Sequence, residues 1–142
     1  MFEHRNYYNF FIPANSLGLW PTKRLYETAY FLSILFDSFR FDISTEAGFR
    51  GISAVSDDIC WFSGAEGQVY RVEASNNQVV NCSPAGYVES DFRDIHAFST
   101  SKAIILSAGL PAVMLLTEDG GESWQEVYRN EAEGIFFDAL DF

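Results

Sequence analysis

The chain has 142 residues, 48% of them hydrophobic and 20% charged, and its 20 acids against 9 Lys and Arg give a formal net charge of -11. That size suits one domain, and that composition excludes a disordered, collagen-like or low-complexity chain. The acidity excludes a nucleic-acid or anionic-membrane partner in the absence of a basic patch, and the sequence carries none.

Aromatic residues reach 17%, with fourteen Phe, and rings at that density need a packed core or stacked sheets. Residues 1–45 differ in character from the rest and read as a leader segment. Leu25, Ala29, Leu32 and Phe36 share a helical face and Pro21 suits a helix start, which predicts a helix over 22–37. Glu27 and Asp37 bracket nine uncharged residues, short of the ~18–20 of a spanning helix, so no transmembrane anchor is expected. A secretory core can be that short, but it lies nearer the start and ends in small residues, whereas this stretch ends Phe36-Asp37-Ser38-Phe39. An ordinary packing helix, an export signal and a start foreign to the domain are the three readings.

From residue 49 the chain repeats. Phe49-Arg50-Gly51-Ile52 returns as Phe92-Arg93-Asp94-Ile95, and Phe136 opens the pattern again, a period of 43–45 residues. Each unit reads as four short strands. The first unit (49–84) has Phe49–Val55, Ile59–Gly64, Gln68–Glu73 and Gln78–Cys82. The second (91–130) has Phe92–Phe98, Ala103–Ala108, Ala112–Thr117 and Ser123–Tyr128, and 134–142 starts a third. Turn residues separate the strands. Several strands are apolar on both faces, as in Ile104-Ile105-Leu106, and need cover on two sides.

Four short antiparallel strands per period describe a β-propeller blade, and stacked neighbours supply the two-sided cover. A single β-sandwich of about eight strands fits the composition too. The constant offset of the Phe-Arg-x-Ile motif favours the propeller. The fold class expected is all-β: two blades plus the first strand of a third, behind a non-propeller leader.

Thr117-Glu118-Asp119-Gly120-Gly121-Glu122-Ser123-Trp124 fits the pattern Ser/Thr-x-Asp-x-Gly-x-x-Trp. Asp119 can accept turn N–H groups, Thr117 can tie the same turn, Gly121 and its neighbour Gly120 permit positive φ, and Trp124 buries a ring at the outer strand. These four residues read as a structural turn rather than a catalytic acid site. The first unit has Ser75 in place of the Asp and Val80 in place of the Trp.

On these motifs, residues 49–142 resemble the Asp-box (BNR) β-propellers related to the photosystem II assembly/stability factor. They are similar above all to its non-photosynthetic bacterial relatives, often labelled oxidoreductase or glycosyl hydrolase-like. The resemblance rests on Phe49–Ser53, Trp61–Gly64, Asp91–Phe98, Thr117–Trp124 and Gly134–Asp138, about two thirds of the chain. It implies a non-catalytic binding or assembly module with a protein partner, no cofactor, and export to the periplasm or outside the cell. The alternative it carries is a sialidase-like or other glycoside hydrolase.

Arg50 and Arg93 hold equivalent places on the first, innermost strands. With Asp94 and His96 nearby they are candidate ligand-binding residues able to clamp a carboxylate, as the arginines of sialidases do. The plainer expectation pairs each with an acid such as Asp94 or Asp138, joining adjacent blades. A sialidase mechanism also needs a Tyr nucleophile with a carboxylate; Tyr70, Tyr87 and Tyr128 qualify by type alone and none is assigned. Cys60 and Cys82 fall about two strand spacings apart, ~9.5 Å, too far for a disulfide. Neither they nor His4 and His96 have metal-ligand spacing, so no metal is expected. Propellers have ~4–8 blades, so this length reads as a piece of one, needing further blades or self-association to cover its sheets.

Overall fold

A computed structural model of the chain describes residues 7–10, 39–43, 45 and 47–142. They form ten strands: β1 (Tyr7–Phe10), β2 (Phe39–Asp42), β3 (Phe49–Ala54), β4 (Ile59–Gly64), β5 (Val69–Glu73), β6 (Gln78–Asn81), β7 (Asp91–Ala97), β8 (Ala103–Ala108), β9 (Ala112–Thr117) and β10 (Gln125–Asn130). Among the described residues there is no helix, and so none long and apolar enough to cross a membrane. The helix expected over 22–37 lies outside them.

β3-β4-β5-β6 and β7-β8-β9-β10 are two antiparallel meanders, each strand bonded to the next in sequence. β4, β8 and β9 coincide with the expected strands. The outer strand of the second sheet does not start at Ser123 but at Gln125, because the Asp119 side chain binds the Ser123 N–H and hydroxyl and holds the turn two residues longer. The β1–β2 pair, Tyr7 opposite Asp42, joins two stretches of the leader and was not expected. The alternation of Phe39-Arg40-Phe41-Asp42 is the signal for it.

The registers define which residues of the two sheets are equivalent. Phe49 faces Gly64 as Phe92 faces Ser107, and Gly51 faces Ser63 as Asp94 faces Leu106, an offset of 43 at each position. Trp61 therefore corresponds to Ile104 and Phe62 to Ile105. Trp61 of the first sheet nonetheless packs in one core with Phe92, Ile95, Ala103, Ile105, Val113 and Leu115 of the second. The sheets stack front to back: one face of the first meets the opposite face of the second. That is the relation between successive propeller blades and not that of two like faces closing a sandwich.

Trp61, Phe92, Ile105 and Leu115 are wholly buried in this seam. Each such side chain contributes roughly 1.5–3 kcal/mol by leaving water. Phe62, Val72, Ala74 and Ile43 form a second core on the first sheet's other face. The inner strands approach closely at Gly51, where an added Cβ would stand 2.8 Å from the Asp94 Cα and 2.9 Å from the Ile95 nitrogen. No side chain larger than hydrogen fits between β3 and β7 there.

Residues 134–142 form no ladder, unlike the strand expected over them. The segment meets β7 through the Arg93, Asp94 and His96 side chains rather than along a hydrogen-bonding edge.

Candidate functional site

The two arginines of the repeated motif are the bulge residues of their strands. The β3–β4 register slips between Phe49 and Gly51, and the β7–β8 register slips between Phe92 and Asp94. A bulge leaves one residue out of the ladder and re-aims its side chain. The residue left out is Arg50 in one sheet and Arg93 in the other. Together with Phe49 and Asp138 they line one open cleft of about 450 Å³. Arg50 Nε lies 2.6 Å from an Asp91 carboxylate oxygen, and Arg93 Nε lies 3.3 Å from Asp138. Each arginine thus reaches forward to an acid of the next unit. Arg50 keeps 42% of its side-chain surface exposed and Arg93 28%.

Asp94 and His96 lie on the adjoining face of β7 rather than in that cleft. Asp94 accepts the Ile95 N–H at 2.9 Å and the Leu140 N–H at 2.7 Å. His96 is flanked by the rings of Phe98 and Phe142 at 4.7 and 4.8 Å. The four candidate ligand residues therefore divide into two pairs, an arginine cleft and a strip covered by residues 136–142.

The Thr117–Trp124 stretch is a tightly bonded turn. Thr117 Oγ1 donates to Asp119 at 2.8 Å and accepts the Gly121 N–H at 2.9 Å. Asp119 accepts from the Ser123 N–H at 3.0 Å and from the Ser123 hydroxyl. These bonds, those from Ser123 foremost, hold the Asp119 carboxyl down to about 2. A carboxyl so fixed in the ionised form is a poor proton donor near neutrality. Gly120 and Gly121 have φ of 80° and 90°, which a side chain would strain. Trp124 Nε1 donates to the Cys82 carbonyl at 2.7 Å, and its ring stands edge-on to Trp61 at 6.4 Å, so the turn locks onto the first blade.

Sequence reasoning passed over Arg71. Its guanidinium donates to the carbonyls of Gly120 at 2.7 Å and Thr100 at 3.1 Å and stacks over Trp61. Arg71 faces Trp61 as Leu116 faces Ile104, so a cation stands at a position that is apolar in the second unit. That mismatch is the signal it leaves in the repeat.

The tyrosines lie elsewhere. Tyr70 packs edge-on against Phe49, and burial pushes its phenol up. Tyr128 stands against Phe137 at 5.8 Å. Tyr87 donates to Glu126 at 2.7 Å, and Arg129 donates to both oxygens of that carboxylate at 2.8 and 2.6 Å. This Tyr–Glu pair sits at the outer strand β10 and not in the arginine cleft. Burial, then the Glu126 bond and charge, raise the Tyr87 phenol, which makes phenolate harder to form. Cys60 and Cys82 are free and belong to cores on opposite faces of the sheet. Burial pushes the Cys60 thiol up to about 11.

Two front-to-back blades, tied by the bulge arginine Arg50 within and by Arg71 and Trp124 further out, make this chain a partial β-propeller. One solved structure agrees in fold. The structure of YCF48 bound to D1 peptide is 20% identical with a TM-score of 0.50, over 61% of this chain and 28% of that one. YCF48 from Cyanidioschyzon merolae is 22% identical with a TM-score of 0.46 over the same shares. The chain thus spans a little over a quarter of the propellers it matches. No protein-family model matches it, and no curated protein is significantly similar to it.

Proposed function

We propose that this chain is a non-catalytic propeller module of binding or assembly, contributing blades to a larger ring, and that Arg50 and Arg93 bind a carboxylate on a protein partner. The observation that carries the reading is the repeated bulge, which brings two equivalent, partly exposed arginines to one open cleft. Guanidinium groups pair with carboxylates through parallel N–H bonds, and an extended acidic segment could bridge both. A peptide ligand for this chain is consistent with the D1 peptide bound to the first of the solved YCF48 structures. Thr117, Asp119, Gly121 and Trp124 act as an Asp box in this reading, fastening the outer hairpin rather than doing chemistry. No Tyr–Glu pair shares the arginine cleft among the described residues, so nothing favours the glycosidase alternative.

The test is fluorescence anisotropy with a fluorescein-labelled peptide of alternating Ala and Glu ending in a free carboxylate. The Arg50→Gln/Arg93→Gln double variant should bind it at least tenfold more weakly than the parent. Equal binding by a folded double variant, or no binding by the parent, refutes the reading.

A further inference from the structure

The ion pairs of the arginine cleft differ from others in the blades. Arg129 donates to both oxygens of Glu126 at 2.8 and 2.6 Å, Arg71 donates to Glu73 at 3.1 Å, and Lys102 donates to Glu118 at 2.7 Å. Each of these is a hydrogen bond as well as a charge pair. Arg50 Nε and Asp91 Oδ1 stand as close as any of them, at 2.6 Å, yet that buried oxygen accepts no hydrogen bond among the described residues. Arg93 Nε, 3.3 Å from Asp138, is likewise buried and donates none.

The bulge accounts for the mismatch at Arg50. This residue is stepped out of the β3 ladder between Phe49 and Gly51, and that irregularity sets its direction. Asp91 starts β7 opposite Ala108, so its direction is set by the second sheet. Each side chain follows its own ladder, and the two meet with their charges matched and the N–H direction unmatched. A hydrogen bond weakens steeply once its donor points away. A guanidinium and a carboxylate pair best through two parallel N–H bonds. A carboxylate oxygen buried without a donor does not recover its lost hydration. Asp91 keeps 35% of its side-chain surface exposed, so water is at hand when it turns from Arg50. The blades are joined further out as well, by Arg71 on the Gly120 carbonyl and Trp124 on the Cys82 carbonyl.

We propose that Asp91 sets the affinity of the arginine cleft: it is an internal carboxylate that holds Arg50 by charge alone and is exchanged for a ligand carboxylate that aligns with the guanidinium. Arg50 is already neutralised, so what the ligand adds is alignment rather than charge. This deepens the carboxylate reading above and rests on it.

The experiment measures the fluorescein-labelled Ala–Glu peptide by anisotropy against the parent, Asp91→Asn, Arg50→Gln and the Arg50→Gln/Asp91→Asn double variant. Asn keeps the shape of Asp91 and removes its charge; if Asp91→Asn does not melt cooperatively, Asp91→Ser takes its place. Losing a partly exposed ion pair changes an equilibrium by up to about fivefold, so Asp91→Asn should bind the peptide about fivefold more tightly than the parent. The same substitution should give no gain once Arg50 is replaced. Unchanged or weaker binding by folded Asp91→Asn overturns the proposal and leaves Asp91 as an interblade tie. An equal gain with and without Arg50 overturns it too, since Asp91 then acts through the overall charge of the chain. If the parent binds and the Arg50→Gln/Arg93→Gln variant does not, the carboxylate reading stands even where this proposal fails; if neither the parent nor Asp91→Asn binds, both fall.

Discussion

Gly51→Ala adds one methyl at a close backbone approach in the interblade seam. The new carbon would lie 2.8 Å from the Asp94 Cα and 2.9 Å from the Ile95 nitrogen, with Ser63 Oγ nearer still at 2.5 Å. Carbon contacts settle at ~3.5–4.0 Å, so β3 and β7 must part by roughly 1 Å. Ser63 can swing aside, but the other two obstacles are backbone. Overpacking costs ~1–3 kcal/mol, and the upper end applies where nothing flexible can yield. A loss of ~3 kcal/mol should lower the melting midpoint by roughly 10–20 °C. Trp61 and Trp124 stand across the seam from each other, so tryptophan fluorescence in a urea titration reports its opening. Gly48→Ala is the internal control, because a Cβ there meets nothing within 4 Å. If Gly51→Ala and Gly48→Ala are equally stable, the close approach is not what sets the packing of the blades.

The Asp119 turn predicts an acid limb. Its folded value of about 2 lies below that of a free carboxyl, so its stabilisation is complete above ~4 and is lost as pH falls toward 2. Asp119→Asn should flatten stability between those values in urea titrations, and an unchanged limb would contradict the hydrogen-bonding account. Cys60 and Cys82 should resist a thiol reagent at pH 8 until denaturant is added, with Cys60 held near 11 by burial and Cys82 raised for the same reason. Rapid labelling of the native chain would place them outside the cores.

The blades were legible because turn residues and β-branched runs mark them at a fixed spacing. β4, β8 and β9 emerge from the residues alone. Where local chemistry overrides pattern, the reading drifts: a single carboxylate at Asp119 delays the outer strand by two residues. The arginines could be recognised as equivalent, but not as bulge residues. The clue was present in Phe92, Ile95 and Ala97, all buried and separated by three and then two positions. An odd spacing on one face of a strand requires an extra residue between. Arg71 was invisible to a search for likeness, since it is where the units differ. The division of Arg50 and Arg93 from Asp94 and His96 depends on how residues 136–142 pass over β7, which no spacing in the chain encodes.

Gly51 also bears on the shape of any ring these blades belong to. Its counterpart in the second blade is Asp94, which the register sets at the same height on the inner strand. Backbone can lie against backbone at the first seam. At the second, a carboxylate stands in the gap and takes the Leu140 N–H. Residues 134–142 therefore meet the second blade across a side chain and not backbone to backbone, so the repeat of the motif does not carry with it a repeat of the contact.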